Sequence, residues 1–208
     1  MKKQTGITTL FTDVGGVLLT NGWGRSSRKK AIELFKLDPV ETEERHHLTF
    51  DTYEVGKLSL DEYLERVVFY EERNFSVADF RGFMFEQSQP YPDMISLMRG
   101  LKEKYKLKVA VVNNEGKELN DYRIKKFKLD SFVDFFISSS FVHFRKPDAD
   151  IFRLAVDVAQ SPPDEIVYID DRPLFVQVAE GLGIKGLVHT TIESTIEQLK
   201  QLGLEYDI

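Results

Sequence analysis

The chain has 208 residues, 42% of them hydrophobic and 30% charged, enough to close one core or one core carrying a modest insertion. Its 28 basic and 34 acidic residues leave a net charge of −6, the wrong sign for neutralising a nucleic-acid backbone, so any polyanionic partner must be small. The absence of cysteine excludes disulfides, thiolate chemistry and cysteine-based zinc sites, and no apolar run reaches bilayer length. The expectation is a cytoplasmic protein with no membrane partner and no leader, since the apolar stretch after Lys2 and Lys3 is interrupted by Asp13.

Ile7 to Phe11 is a short continuous apolar run of the kind that forms a strand buried on both faces, and it leads into Asp13, Gly15 and Gly16. From 20 to 90 no comparable run occurs. Helices are expected there over Ser27 to Leu37, Leu60 to Glu72 and Val77 to Gln87, the last two opened by capping boxes at Ser59 and Ser76. Pro90-Tyr91-Pro92 marks the return to a different pattern. Further strand runs follow at Val109 to Val112, Phe132 to Ile137 (broken by Asp134), Ile166 to Ile169 and a weaker Leu187-Val188. Between the later runs, Ile151, Phe152, Leu154, Ala155 and Val158, and then Val176, Val178 and Ala179, recur at helix spacing. Strand, helix, strand means a parallel sheet. The fold class is α/β: a Rossmann-like parallel sheet core of residues 1–19 and 91–208, with an all-helical insertion over 20–90.

In an open parallel sheet the ligand site lies beyond the carboxyl ends of the strands. The residues directly following the apolar runs are Asp13, Asn113 with Asn114, and Asp170 with Asp171. A fourth segment, Arg145-Lys146-Pro147-Asp148, opens a helix, with Pro147 suited to its first position and Lys146 left free to meet an anion. Carboxylates converging on one spot repel each other unless they share a cation. Oxygen ligands with no histidine or cysteine beside them suit Mg²⁺, which uses one or two carboxylates together with a substrate phosphate.

These residues resemble the motifs of the haloacid dehalogenase superfamily of hydrolases, most of which are Mg²⁺-dependent phosphatases. Phe11-Thr12-Asp13-Val14-Gly15-Gly16-Val17-Leu18 is similar to the first motif, Val111-Val112-Asn113-Asn114 to the second, Arg145-Lys146-Pro147-Asp148 to the third and Ile169-Asp170-Asp171 to the fourth, in order along nearly the whole chain. The insertion over 20–90 takes the place of a helical cap. The resemblance implies a phosphatase acting on a small phosphorylated metabolite through an aspartyl phosphate on Asp13. It implies Mg²⁺ held by Asp13, the backbone carbonyl of Gly15 and Asp171, with Asp170 in support. Lys146 would neutralise the phosphoryl group, and Asn113 and Asn114 would meet the substrate.

Two positions depart from the pattern. Asn113 stands where the family has serine or threonine, and its amide can still donate to a phosphate oxygen. Gly15 stands where the phosphatases carry a second aspartate, the general acid and base, whose removal costs roughly 10² to 10⁴ in rate, or about 3 to 5.5 kcal/mol of barrier. Substrates with good leaving groups suffer least. Glu115 and His143 are the nearest substitute acids by sequence. The alternative reading is a catalytically weak or inactive phosphate-ligand-binding or regulatory protein on the same fold; a metal-free dehalogenase fits the Asp170-Asp171 pair poorly. Trp23 is either a substrate contact or a hydrophobic plug, and the basic run from Arg25 to Lys30 either attracts an anionic substrate or is a solvated helix face. His46 and His47 are adjacent and do not share a helix face, so they do not form a metal pair.

Overall fold

The computed structural model describes residues 6–206; Lys2 and Lys3, on which the expectation about a leader rests, lie outside the described residues. Strand β1 (Thr9–Thr12) is followed by four helices: α1 (Arg25–Phe35), α2 (Pro39–Glu54), α3 (Leu60–Val67) and α4 (Val77–Glu86). The chain then alternates through α5 (Pro92–Tyr105), β2 (Lys108–Asn113), α6 (Lys117–Lys126), β3 (Phe135–Ser138), the short α7 (Ser139–Val142), α8 (Ala149–Ala159), β4 (Ile166–Asp170), α9 (Pro173–Glu180), β5 (Lys185–Val188) and α10 (Ile192–Gln201). The five strands form one parallel sheet in the order β3-β2-β1-β4-β5. Among the described residues, no helix is long and apolar enough to cross a membrane.

The central strands are apolar at almost every position because both faces are covered. Leu10, Val109, Val111, Val167 and Ile169 pack on one side against Met94, Leu97 and Met98 of α5 and Leu199 of α10. Phe11, Ala110, Val112 and Tyr168 pack on the other side against Ile151, Phe152 and Ala155 of α8 and Val176 and Ala179 of α9. The helices of residues 25–86 gather a third cluster around Trp23, Tyr53, Tyr63, Leu64, Val67 and Phe80, to which Leu119 of α6 also belongs. The two chain crossings into and out of these helices run side by side: Thr20 N–H donates to Gln89 O at 2.8 Å and Tyr91 N–H to Leu18 O at 2.9 Å.

Both expected capping boxes are present. The Ser59 hydroxyl accepts from Glu62 N–H, the Ser76 hydroxyl from Asp79 N–H, and each acid returns the bond. Beside end shifts of one or two residues, four differences from expectation stand out. α3 stops at Val67 rather than reaching Glu72, because the β-branched Val67 and Val68 are both fully buried and Arg73 Nε caps the Val68 carbonyl at 2.7 Å. β3 begins at Phe135, since Asp134 turns its carboxylate back to accept Val109 N–H at 2.8 Å. Pro147 precedes the cap instead of opening α8: Asp148 is the N-cap, accepting from Asp150 N–H, and Ala149 is the first helical residue. α2, with 16 residues, has no counterpart among the expected helices.

Candidate active site

The chain leaves β1 for β2 and β3 on one side of the sheet and returns to β4 and β5 on the other. The carboxyl ends of β1 and β4 therefore flank the point where the winding reverses, where open sheets hold their ligands. The register pairs Thr12 with Ile169, so the next residue of each strand sets Asp13 beside Asp170, and Asp13 N–H donates to Ile169 O at 2.9 Å. One ligand oxygen from each of Asp13, Asp170 and Asp171 lies within 4.8 Å of the others.

Lys146 closes this group from below. Its Nζ lies 3.1 Å from Asp13 Oδ1 and 2.6 Å from Asp170 Oδ2, and it donates to the Tyr168 hydroxyl at 2.8 Å. Tyr168 passes its own hydrogen to Asp170 Oδ2, and Asp170 Oδ1 accepts Arg172 N–H at 2.8 Å. Both oxygens of Asp170 are thus committed to holding Lys146 and the turn after β4. Asp171 is different: its Oδ1 is buried with no hydrogen-bond partner among the described residues. Its Oδ2 lies against Gly16, where an added Cβ would stand 2.3 Å away, and φ of +78° there also demands glycine.

Three buried or half-buried carboxylates face one ammonium, so the group carries excess negative charge out of water. Burial, with the Asp170 charge in support and Lys146 opposing, pushes Asp13 up to about 7. Burial and Asp170 raise Asp171 as well. Burial alone would lower Lys146, but Asp13 and Asp170 outweigh it and hold the ammonium above the ordinary lysine range. The unpartnered Asp171 oxygen and this charge deficit fit a hard divalent cation with oxygen ligands.

Above the group opens a cavity of about 530 Å³ lined by Asp13, Gly15 and Lys146 from the core and by residues of α1 and α2. Of the two asparagines after β2, Asn114 lines it and Asn113 does not: the Asn113 amide donates to Asn120 Oδ1 at 3.2 Å, and its own Oδ1 is buried without a partner. Beside Gly15 a side chain would crowd Asn21. An added Cβ would meet Asn21 Oδ1 at 3.1 Å and Arg123 Nη1 at 3.9 Å. Arg123 is fully buried, donating to Glu115, the Thr20 carbonyl and Ser88 Oγ. Glu115 therefore lines the cavity as half of an ion pair, while His143 is exposed, donates through Nδ1 to Val55 O at 2.7 Å and lies outside the cavity.

Asp51 and Glu54 carry no sequence signal of their own. Arg145 reaches from the segment before α8 to α2, with Nη1 2.6 Å from Asp51 Oδ2 and Nη2 2.6 Å from Glu54 Oε2. Glu54 is buried and lines the cavity. Trp23 is both plug and lining: it packs edge-on to Phe80 at 5.7 Å and borders the cavity. Of the basic run, Arg25 and Arg28 line the cavity, and Lys29 and Lys30 are exposed outside it.

The sequence model of the haloacid dehalogenase-like hydrolase family matches residues 7–183. A protein named as a pyrophosphatase, PpaX, from Caldanaerobacter subterraneus subsp. tengcongensis is 27% identical over 116 residues, covering 56% of this chain and 52% of its own length. Flavin mononucleotide hydrolase 1 of Arabidopsis thaliana is 26% identical over 170 residues, covering 79% of this chain and 66% of its own. The chain thus spans about half to two thirds of these relatives. A HAD family enzyme from Bacteroides thetaiotaomicron, solved as a magnesium complex, shares the fold with a TM-score of 0.80 at 21% identity over 94% of this chain and 99% of that one. The same enzyme with magnesium and inorganic phosphate aligns with a TM-score of 0.73 at 23% identity, covering 88% and 94%.

Proposed function

Because the chain belongs to the haloacid dehalogenase-like hydrolase family, we propose that it is a Mg²⁺-dependent phosphatase that hydrolyses a small phosphorylated metabolite through Asp13. The observation that carries this reading is the convergence of Asp13, Asp170 and Asp171, with Lys146 bonded to the first two. Asp13, Asp171 and the Gly15 backbone carbonyl would hold the ion, with Asp170 behind them. When bound, it supplies the positive charge that keeps Asp13 ionised and offsets the phosphoryl oxygens. The magnesium and phosphate in the Bacteroides enzyme support that assignment.

In the first step an Asp13 oxygen attacks phosphorus in line, the P–O bond to the leaving group breaks, and an aspartyl phosphate forms. Lys146 stabilises the charge on the transferring group while Asp170 and Tyr168 keep its ammonium in place. Water then attacks the phosphorus, releasing phosphate and restoring the carboxylate. Residues 20–90 act as a cap that excludes bulk water, with the paired crossings at Leu18–Thr20 and Gln89–Tyr91 as its hinge. With glycine at position 15, no side chain there protonates the leaving oxygen, which favours acyl, aryl or anhydride phosphates over alkyl esters.

The test is hydrolysis of alkyl, aryl and acyl phosphates with and without Mg²⁺, with Asp13→Asn as the blank, together with intact mass after exposure to acetyl phosphate. The expected result is Mg²⁺-dependent turnover and a phosphoryl adduct, both lost in Asp13→Asn. Mg²⁺-dependent ligand binding without turnover or adduct would instead establish a non-catalytic phosphate binder, the reading that Gly15 favours.

A further inference from the structure

The cavity is bordered by a hydrogen-bond chain whose direction the chemistry fixes. Trp23 Nε1 can only donate, and it gives its hydrogen to the Tyr63 hydroxyl at 2.9 Å. Tyr63 is fully buried, and its other partner is His46 Nδ1 at 2.8 Å. Were the hydrogen on Nδ1, Tyr63 would receive two donors and its own hydrogen would face no acceptor among the described residues, a costly buried vacancy. Tyr63 therefore donates to Nδ1, and the imidazole carries its hydrogen on Nε2. Burial, with the nearby Arg28 charge, holds His46 down at about 4, so the ring is neutral at physiological pH. Its Nε2–H has no partner among the described residues, and His46 is one of the residues that line the cavity.

The charges around it are unequally committed. Arg28 places Nε and Nη2 on the two oxygens of Glu43, at 2.8 and 2.9 Å. Glu54 is matched by Arg145 and Glu115 by Arg123. Arg25, at the start of α1, lines the same cavity and makes no salt bridge among the described residues. The Arg28 guanidinium, with Arg25 in support, holds the Glu43 carboxyl below its ordinary range. The cavity thus offers the Arg25 cation and one neutral N–H donor from the helices of residues 25–54, while Arg172, which also makes no salt bridge among the described residues, lies over Phe175 beside the Asp13 group.

We infer that His46 Nε2–H and Arg25 form a subsite for a second anionic oxygen group, so that the ligands bound most tightly are phosphorylated compounds whose far end carries a carboxylate or a further phosphate. The proposal rests on the reading of the Asp13 centre as the phosphoryl site. Its test is calorimetric binding to the Mg²⁺-loaded protein of three probes of equal chain length: 3-phosphooxypropanoate, propane-1,3-diol bisphosphate and propyl phosphate. At least one anionic-tailed probe binds tenfold or more tighter than propyl phosphate, and which one does distinguishes carboxylate from phosphate. His46→Phe and Arg25→Gln each reduce that ratio several-fold. His46→Gln, which places an amide N–H near the position of Nε2, retains most of it, and His47→Gln at the neighbouring exposed position leaves it unchanged. Equal affinities for all three probes, no binding of any, or a ratio untouched in His46→Phe overturns the proposal. So does a ¹⁵N spectrum of the free protein showing the His46 hydrogen on Nδ1. None of these readouts needs turnover, so loss of the phosphatase reading in the adduct experiment is seen separately.

Discussion

Asn114 grips the backbone of Lys146 at both ends: its Oδ1 accepts the Lys146 N–H at 2.8 Å and its Nδ2 donates to the Lys146 carbonyl at 2.9 Å. The side chain that lines the cavity after β2 thus fixes the lysine that follows β3 and α7. Removing both bonds in Asn114→Ala costs about 1 to 3 kcal/mol and loosens the ammonium. The expected result is a kcat reduced tenfold or more with a smaller change in KM. A kcat equal to wild type would show that Lys146 needs no such brace.

Lys146→Met leaves Asp13 and Asp170 buried without their ammonium. Breaking a buried ion pair on one side costs about 3 to 5 kcal/mol, which urea unfolding in the absence of metal would register. A divalent cation restores part of the lost charge. Millimolar Mg²⁺ should therefore raise the melting temperature of the variant by more than that of the wild type, without restoring turnover; an equal rise in both would contradict the shared site.

Gly15→Asp would supply the acid that the proposed mechanism lacks only where there is room. Its Cβ would stand 3.1 Å from Asn21 Oδ1, close enough that Asn21 must move. The single variant should gain little on alkyl phosphates, whereas Gly15→Asp with Asn21→Gly should gain tenfold or more. Initial rates on one alkyl ester, compared with an acyl phosphate, decide this. No gain in the double variant would mean that another group already serves as the acid.

Burial pushes Glu54 up to about 7 against the opposing charge of Arg145, so the folded state holds more protons than the unfolded chain between pH 4.5 and 7. Its contribution to stability therefore falls as pH rises through that window, by roughly 3 kcal/mol over the full span. His46, held at about 4 against an ordinary 6.5, does the reverse: the folded state holds fewer protons, and its contribution is complete above pH 6.5 and lost on acidification. The two slopes oppose each other between pH 4.5 and 6.5. Glu54→Gln should make stability climb more steeply with pH than wild type, and His46→Phe should make it fall. Urea midpoints at four pH values measure this, and three parallel curves would refute it.

The sheet and the carboxylate group were legible because each depends on a strong local signal: short β-branched runs buried on two faces, and the polar residue ending each run. α2 was not. Its buried positions are Thr42, His46, Tyr53 and Glu54, so no apolar stripe marks it, and only Asp38 before Pro39 and Glu41 offered a start signal. That one omission hid Glu54, and with it the target of Arg145. Gly15 was visible as a missing acid, but Arg123, which borders its space, comes from α6, and no spacing in the chain relates the two. His46 gains its tautomer from Trp23 and Tyr63, partners 23 and 17 residues away that only the folded helices bring together.

Arg145 and Lys146 are neighbours in the chain that reach in opposite directions, one to Asp51 and Glu54 of α2, the other to Asp13 and Asp170 at the sheet. One short stretch of backbone is therefore tethered at two places that a hinge motion would pull apart. Under the proposed function, swinging the helices away would surrender the arginine's grip beside the very lysine that holds Asp13, so admission of a ligand and readiness of the proposed nucleophile would be mechanically geared to each other.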